Sequence, residues 1–444
     1  MMQDLTAKNL PKKFLLAIPF QLLLTAGLAL RNQAMILISF IPLLIYGFVN
    51  LLINPLLILW ISMFSNLTSI TIGNVALYVA FFAFLIPSFL LVRCLSKDEG
   101  LYFDSFDLLF VPLGLLLLIS FPQWNSMSKG LLGFFFLFLV PYFEVLILRS
   151  YFDEKNFNYS LLVFIAMSLV FNLEVLAAVL KVFSQGGYSV VALHSIGIGW
   201  AYSNYIAALA NLFIPLNLAV FLTTRSKVRY IVLFNLIALF FSMLITISRG
   251  GFLTFLLSII TFGVSLAIAE GKLKYVAGIF FVIGGILLII FKTIFGQLLL
   301  FRFAFTVVSN ASIQNRFRMW AQAVEIIKKN PLIGSGPYQK QVFSGVLLTE
   351  NPHNYYLKIG MDAGVIGIIL FVAILILLLR RSIRLLHAGE RRMRILGVAF
   401  LTTIVVASFN AGIEPTLSGF HYNPIFWFIA GLLLSLTSRK ELAK

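Results

Sequence analysis

The sequence predicts an all-α fold, a polytopic transmembrane helix bundle of about 12–14 helices. Three observations carry this. Of 444 residues, 61% are hydrophobic and 11% charged, and the mean hydropathy is +1.01, far from a water-soluble domain. The apolar runs are continuous rather than alternating, which points to helices and not to a barrel. Lysine and arginine gather in short loops between the runs, as positive-inside topology requires.

Apolar segments long enough to matter fall at 14–30, 34–62, 74–92, 106–121, 129–149, 160–183, 204–223, 229–247, 251–269, 274–293, 361–380, 394–410 and 423–438. A hydrocarbon core needs about 20 apolar residues per helix. The second segment is too long for one untilted span. Asn50, Asn54 and Pro55 lie in its middle, so a hairpin of two short helices is expected; the total is then even, and both basic termini sit on one side. The N-terminus has a charged stretch before its first apolar run but no small-residue cleavage site, and reads as the first membrane helix rather than a signal peptide. The single cysteine, Cys94, excludes an internal disulfide and a cysteine-based zinc cluster.

The basic loops at 93–99, 149–156, 224–229, 270–274 and 380–394 fall on one side by alternation and define the inside. The other side receives the short loops near 63–73, 121–128, 184–203, 248–251 and 411–422, with one long segment, 294–360. The expected organisation is a single membrane domain, 1–444, with 294–360 as an extracytoplasmic insertion forming a lid. The formal net charge of +17 is accounted for by the inside loops. No basic groove with interleaved aromatics stands outside the membrane segments, which excludes nucleic acid as a partner.

The insertion breaks the charge bias. It carries Arg302, Arg316, Arg318, Lys328, Lys329 and Lys340 against Glu325 and Glu350, so the cluster predicts a bound anion, although any one of these cations alone reads equally as a solvated charge. Asn315 precedes a helical pattern in which Phe317, Trp320, Val324 and Ile327 share a face, and Asn330-Pro331 stops it. Arg316 and Arg318 then fall in the first turn, where the macrodipole prefers acids, as though an external anion were expected there. Gly334-Ser335-Gly336 forms a glycine-rich turn that either reverses the chain or touches phosphate. His353, in the run Glu350 to Tyr356, stands where the chain re-enters the membrane; an imidazole there can cap a helix or remove a proton near neutral pH. Arg249, in Ser248-Arg249-Gly250-Gly251, lies close to hydrocarbon, where it needs a partner, a wet cavity or a route to the interface. Glu144 and Glu174 are intramembrane acids for pairing or cavity lining. The sequence has no HExxH, no DxD and no Walker motif, so the expectation is a transfer without cofactor or metal, driven by a preactivated leaving group.

From about Ile247 to the C-terminus, the chain resembles the O-antigen ligase/polymerase family of polytopic glycosyltransferases. The resemblance rests on His353-Asn354, nine residues from Tyr355 to Ala363, and then Gly364-Val365-Ile366-Gly367. It also includes Arg316 with Trp320 four positions on, Arg249 after a membrane helix, and the asparagine-containing stretch Tyr202 to Ala207. The resemblance implies a GT-C-like bundle in the bacterial cytoplasmic (inner) membrane, with its active site on the periplasmic face. It implies a polyprenyl (undecaprenyl)-diphosphate-linked glycan as donor and the lipid bilayer as host for its tail. The implied acceptor is lipid A-core for a ligase or a polyprenyl-linked glycan for a polymerase. Arg249 and Arg316 would hold the diphosphate, with Arg302 and Arg318. His353 would orient or deprotonate the acceptor hydroxyl in an inverting, metal-independent transfer, and Asn354, Trp320, Gly334 and Gly336 would contact substrate. A polysaccharide or lipid transporter is the competing class, but such proteins concentrate ionisable residues at the midplane of two related halves, and no internal repeat is evident here.

Overall fold

The computed structural model describes Ile38 and residues 55–67, 71–72, 75–95, 103–186, 193, 196–198, 201–309, 311–339, 341–343, 346–348 and 352–441. The expected helix at 14–30, and the hairpin expected within 34–62 apart from its last stretch, lie outside these residues. The helices are α1 (Pro55–Asn66), α2 (Leu77–Leu95), α3 (Ser105–Ile119), α4 (Met127–Ser150), α5 (Glu154–Ser184), α6 (Ser203–Thr223), α7 (Val228–Ile245), α8 (Arg249–Glu270), α9 (Lys274–Lys292), α10 (Ile294–Ser309), α11 (Ala311–Lys329), α12 (Tyr355–Leu386), α13 (Arg391–Ile413) and α14 (Tyr422–Glu441). Among the described residues, eight of them, α4 to α9, α12 and α13, are long and apolar enough to cross a membrane. The protein is therefore a multi-pass, all-α membrane protein. Its only described strands are three two-stranded antiparallel ribbons, such as Gln341–Phe343 against Val346–Leu348 with Val342 opposite Leu347.

Caps written in the sequence set the helix ends. Asp104 caps α3 in a reciprocal box with Asp107, Asp153 caps α5, Ser248 caps α8 and Asn354 caps α12, each accepting from an otherwise orphaned backbone N–H. Gly271 ends α8 in the left-handed conformation. The core is formed by α12 on α13, α8 and α6 on α13, and α14 on α4. Where packing faces are polar they satisfy one another: Asn235 donates to Asn217 Oδ1 at 2.9 Å, and Asn172 donates to Asn235 Oδ1 at 2.6 Å. Such amides join helices in hydrocarbon, where an unpaired one is costly. At one end of the bundle Arg149 meets Asp107 at 2.9 Å and Asp104 at 3.6 Å, tying α4 to the start of α3.

Two expectations are corrected. The segment read as one polar insertion opens with a helix, α10, whose Leu298, Leu299 and Phe303 pack into the main core. The amphipathic helix begins at Ala311, not after Asn315, so Arg316 and Arg318 lie in its second turn rather than its first. Its buried face is Ala323 and Ile326, packed with Ile327 against Leu357 and Met361 of α12, whereas Phe317 and Val324, expected on that face, are exposed.

Helix α12 is kinked at Gly364, whose φ is +70°, a conformation that L residues avoid. The kink frees backbone groups that the loop after α11 uses. Ser335 N–H donates to Met361 O at 2.7 Å, Gly336 N–H to Asp362 O at 3.0 Å, and Val365 N–H to Pro331 O at 2.7 Å. A Cβ on Gly364 would stand 2.4 Å from the Leu332 carbonyl. Gly364→Ala is therefore expected to lower stability by roughly 1–3 kcal/mol or more from backbone strain alone, whereas Gly278→Ala, in open space, changes little. Thermal unfolding of the two variants in detergent checks this; equal midpoints would contradict the kink's role.

Candidate active site

One end of the bundle holds a cavity of about 930 Å³, lined among others by Arg249 and Ser248 of the α8 start, Arg302 and Phe303 of α10, Arg316 and Met319 of α11, His353, Asn204 of α6, and Phe409, Asn410, Ile413 and Glu414 at the α13 end. The residues gathered here come from segments up to 210 positions apart. Arg249, Arg302, Arg316 and His353, all picked out by sequence, line it together.

Glu414 organises the polar side. Its side chain is 8% exposed, and both oxygens are engaged. Oε1 accepts from Arg316 Nη2 at 2.7 Å and from Asn204 Nδ2 at 3.0 Å, while Oε2 faces His353 Nδ1 at 2.8 Å. Arg316 also donates to the carbonyl of Ile413, next to Glu414. The other two guanidiniums are held by backbone oxygens: Arg302 Nη1 donates to Ile247 O at 2.9 Å, and Arg249 Nη1 reaches Arg302 O at 3.5 Å. Among the described residues, three arginines line the cavity against one carboxylate, a surplus of two positive charges in a setting that is partly apolar. Such crowding favours a bound anion.

Backbone geometry presents these groups. His353 has φ +51° and Ile247, two residues before Arg249, also has φ +51°; bulky residues adopt this conformation when the surroundings enforce it. At His353 the enforcing contacts are visible. Trp320 Nε1 donates to Pro352 O at 2.9 Å. Asn354 accepts from Leu357 N–H at 3.1 Å and donates to Gly412 O at 3.1 Å. Trp320 and Asn354, expected to touch substrate, hold the loop that carries His353.

Three further expectations change. Gly334 and Gly336 do not offer N–H groups to a phosphate: Gly334 N–H donates to Asn330 O at 3.0 Å, and Gly336 N–H is spent on Asp362 O. They are required instead because a Cβ on Gly334 would meet the α12 backbone at 2.5 Å and one on Gly336 would meet Trp124 at 2.2 Å. Arg318 is exposed and does not line the cavity, since two residues along a helix rotate it by about 200° from Arg316. Nearby, Tyr338 donates to Ser418 O at 2.6 Å; burial raises its phenol well above the ordinary range, so it stays a neutral donor.

Sequence reasoning missed Glu414. It is the only acid in the 411–422 loop, on the side assigned to His353, and that was the available signal. Among the described residues no three His, Cys, Asp or Glu side chains gather as a metal-ligand group. The cationic groups at the site are side chains of the chain itself.

Binding of inorganic pyrophosphate, followed by thermal shift or calorimetry, is expected to weaken about tenfold or more in Arg249→Gln and in Arg302→Gln, the worth of a hydrogen bond to a charged group. Arg318→Gln should stay within about twofold. Equal weakening in all three would mean that the anion binds outside this cavity.

No curated protein matches the chain. A family model does: residues 234–372, just under a third of the chain, match Wzy_C, O-Antigen ligase, and this stretch, similar to the O-antigen ligase family, carries Arg249, Arg302, Arg316 and His353.

Proposed function

We propose that the protein is a membrane glycosyltransferase that moves a glycan from a polyprenyl (undecaprenyl) diphosphate to an acceptor sugar hydroxyl on the extracytoplasmic face of the bacterial inner membrane. The observation that carries this reading is the convergence of three arginines and a carboxylate-held histidine on one cavity. Arg249, Arg302 and Arg316 hold the diphosphate and stabilise the charge that grows on it as the sugar C1–O bond breaks. Glu414 accepts a hydrogen bond from His353 Nδ1–H, which leaves Nε2 to accept the proton of the attacking hydroxyl, and its charge stabilises the imidazolium that results. Attack opposite the departing diphosphate inverts the anomeric centre. Leu253, Phe303, Met319 and Phe409 give the cavity an apolar flank suited to the first isoprene units of the carrier. The diphosphate bond supplies the driving force, and the arginines supply the positive charge that a divalent cation offers in other phosphate chemistry.

The acceptor divides two versions of this function. Transfer to lipid A-core makes the protein a ligase, which we take as the first reading; transfer to a second polyprenyl-linked glycan makes it a polymerase of O-antigen or exopolysaccharide. The donor site described here serves both.

With a polyprenyl-diphosphate-linked glycan purified from the producing cells as donor, His353→Ala is expected to lower the transfer rate by about 10²–10⁴-fold, and Arg316→Ala by a comparable factor. Excess EDTA should leave the wild-type rate unchanged. Full activity in His353→Ala would remove the histidine from the mechanism, and loss with EDTA would remove its metal independence. The product assigns the acceptor: glycan on lipid A-core, or longer glycan still on the carrier.

A further inference from the structure

The anion-holding and proton-accepting sides of the cavity sit on different helices, yet a single amide spans them. Ser248, the cap of α8, accepts from Gly251 N–H at 3.1 Å, so its own hydroxyl proton is directed elsewhere and goes to Asn204 Oδ1 at 2.9 Å. That fixes the orientation of the Asn204 amide, whose Nδ2 then donates to Glu414 Oε1 at 3.0 Å. Glu414 in turn faces His353 Nδ1 at 2.8 Å. The connection runs without a gap from the residue before Arg249, through Asn204 and Glu414, to the histidine. An amide suits this place because it donates to a carboxylate at one end and accepts from a hydroxyl at the other; neither aspartate nor leucine does both.

We infer that Asn204 is a positioning residue that acts through Glu414, holding the carboxylate in the orientation that keeps the His353 proton on Nδ1 and leaves Nε2 as the base. This rests on the glycosyl-transfer reading for its consequence in catalysis, but the coupling itself does not. Among the described residues, the charged and titratable groups around Glu414 and His353 are Arg249, Arg302 and Arg316 from α8, α10 and α11, with Tyr205 from α6, whose hydroxyl donates to Pro415 O at 3.4 Å. With three arginines facing it, an added carboxylate at position 204 ionises as well and favours imidazolium at His353.

The test uses the full chain in detergent, labelled with ¹⁵N-histidine. The protein has four histidines, and His353→Gln assigns the resonance. In the wild type, neutral His353 should show its proton on Nδ1. In Asn204→Asp, the midpoint of the His353 titration should rise by about one pH unit. In Asn204→Leu, the neutral ring should lose its single tautomer, because Glu414 Oε1 then keeps Arg316 but not the amide that fixes the turn of the carboxylate. Should either variant fail to fold, Ser248→Ala, which removes the far hydrogen bond together with the α8 cap, should loosen the tautomer in the same direction. An unmoved midpoint and unmoved tautomer overturn the inference. The acid limb of the transfer-rate profile is measured on the same samples. If the histidine midpoint moves and the acid limb does not, Asn204 is coupled as inferred, and His353 is not the rate-determining base. If KM alone changes with neither signal moving, Asn204 contacts substrate and positions nothing.

Discussion

The site depends on one buried carboxylate. A charge as withdrawn from water as Glu414 is tolerated only when its oxygens are fully engaged, and its three side-chain partners come from α6, α11 and the start of α12. The desolvation cost therefore works as a constraint: if Asn204, Arg316 or His353 moves away, the remaining contacts no longer compensate for burial. The acid thus fixes the distance between Arg316, Asn204 and His353. The same carboxylate separates roles among the cations. Arg316 is partly neutralised and anchored, whereas Arg249 and Arg302 lean on backbone carbonyls that carry no full charge.

A second constraint lies in the backbone of α12. Gly364 breaks the helix, and the turn from Pro331 to Gly336 inserts its N–H groups into the gap. The first turns of α12 are thereby gripped from the side. A buried ion pair reinforces them, with Lys358 Nζ 2.5 Å from Asp362 Oδ1, and the Lys358 ammonium lies 5.5 Å above the Tyr338 ring. His353 and its cap Asn354 stand at the end of this braced segment. The spacing of nine residues between His353-Asn354 and Gly364 is thus mechanical: it is the length of helix between the loop that carries His353 and the break that locks it.

The bundle was legible from sequence because hydrocarbon leaves the backbone few options; a continuous apolar run specifies a helix with little help from context. The exception is α10, where Gln297 and Arg302 interrupt the run and made a packed helix look like part of a loop. Arg249, Arg316 and His353 stood out as polar residues at the edge of apolar stretches. Glu414 did not, since one acid in a short loop has no local pattern, and its partners lie 61, 98 and 210 residues away in the chain. Arg318 was misplaced with Arg316 because composition ignores rotation about the helix axis. Gly334 and Gly336 looked like a phosphate turn because sequence does not show which N–H groups are already spent.

The charge surplus makes sense of these devices together. Three guanidiniums in one cavity repel each other when no anion is present, and flexible side chains would relieve that by turning outward. Here each has at least one N–H tied to a fixed oxygen: Arg302 to Ile247, Arg249 to Arg302, Arg316 to Ile413 and Glu414. The repulsion is therefore retained in the folded protein instead of being dissipated by side-chain motion. Donors held this way need little reorganisation when negative charge grows on a diphosphate between them, which is the condition under which electrostatic stabilisation contributes most to a rate. The left-handed backbone at Ile247, whose carbonyl holds Arg302 just before the cap of α8, belongs to the same arrangement. Its strain is borne by the packed bundle beneath, and it returns a guanidinium already aimed.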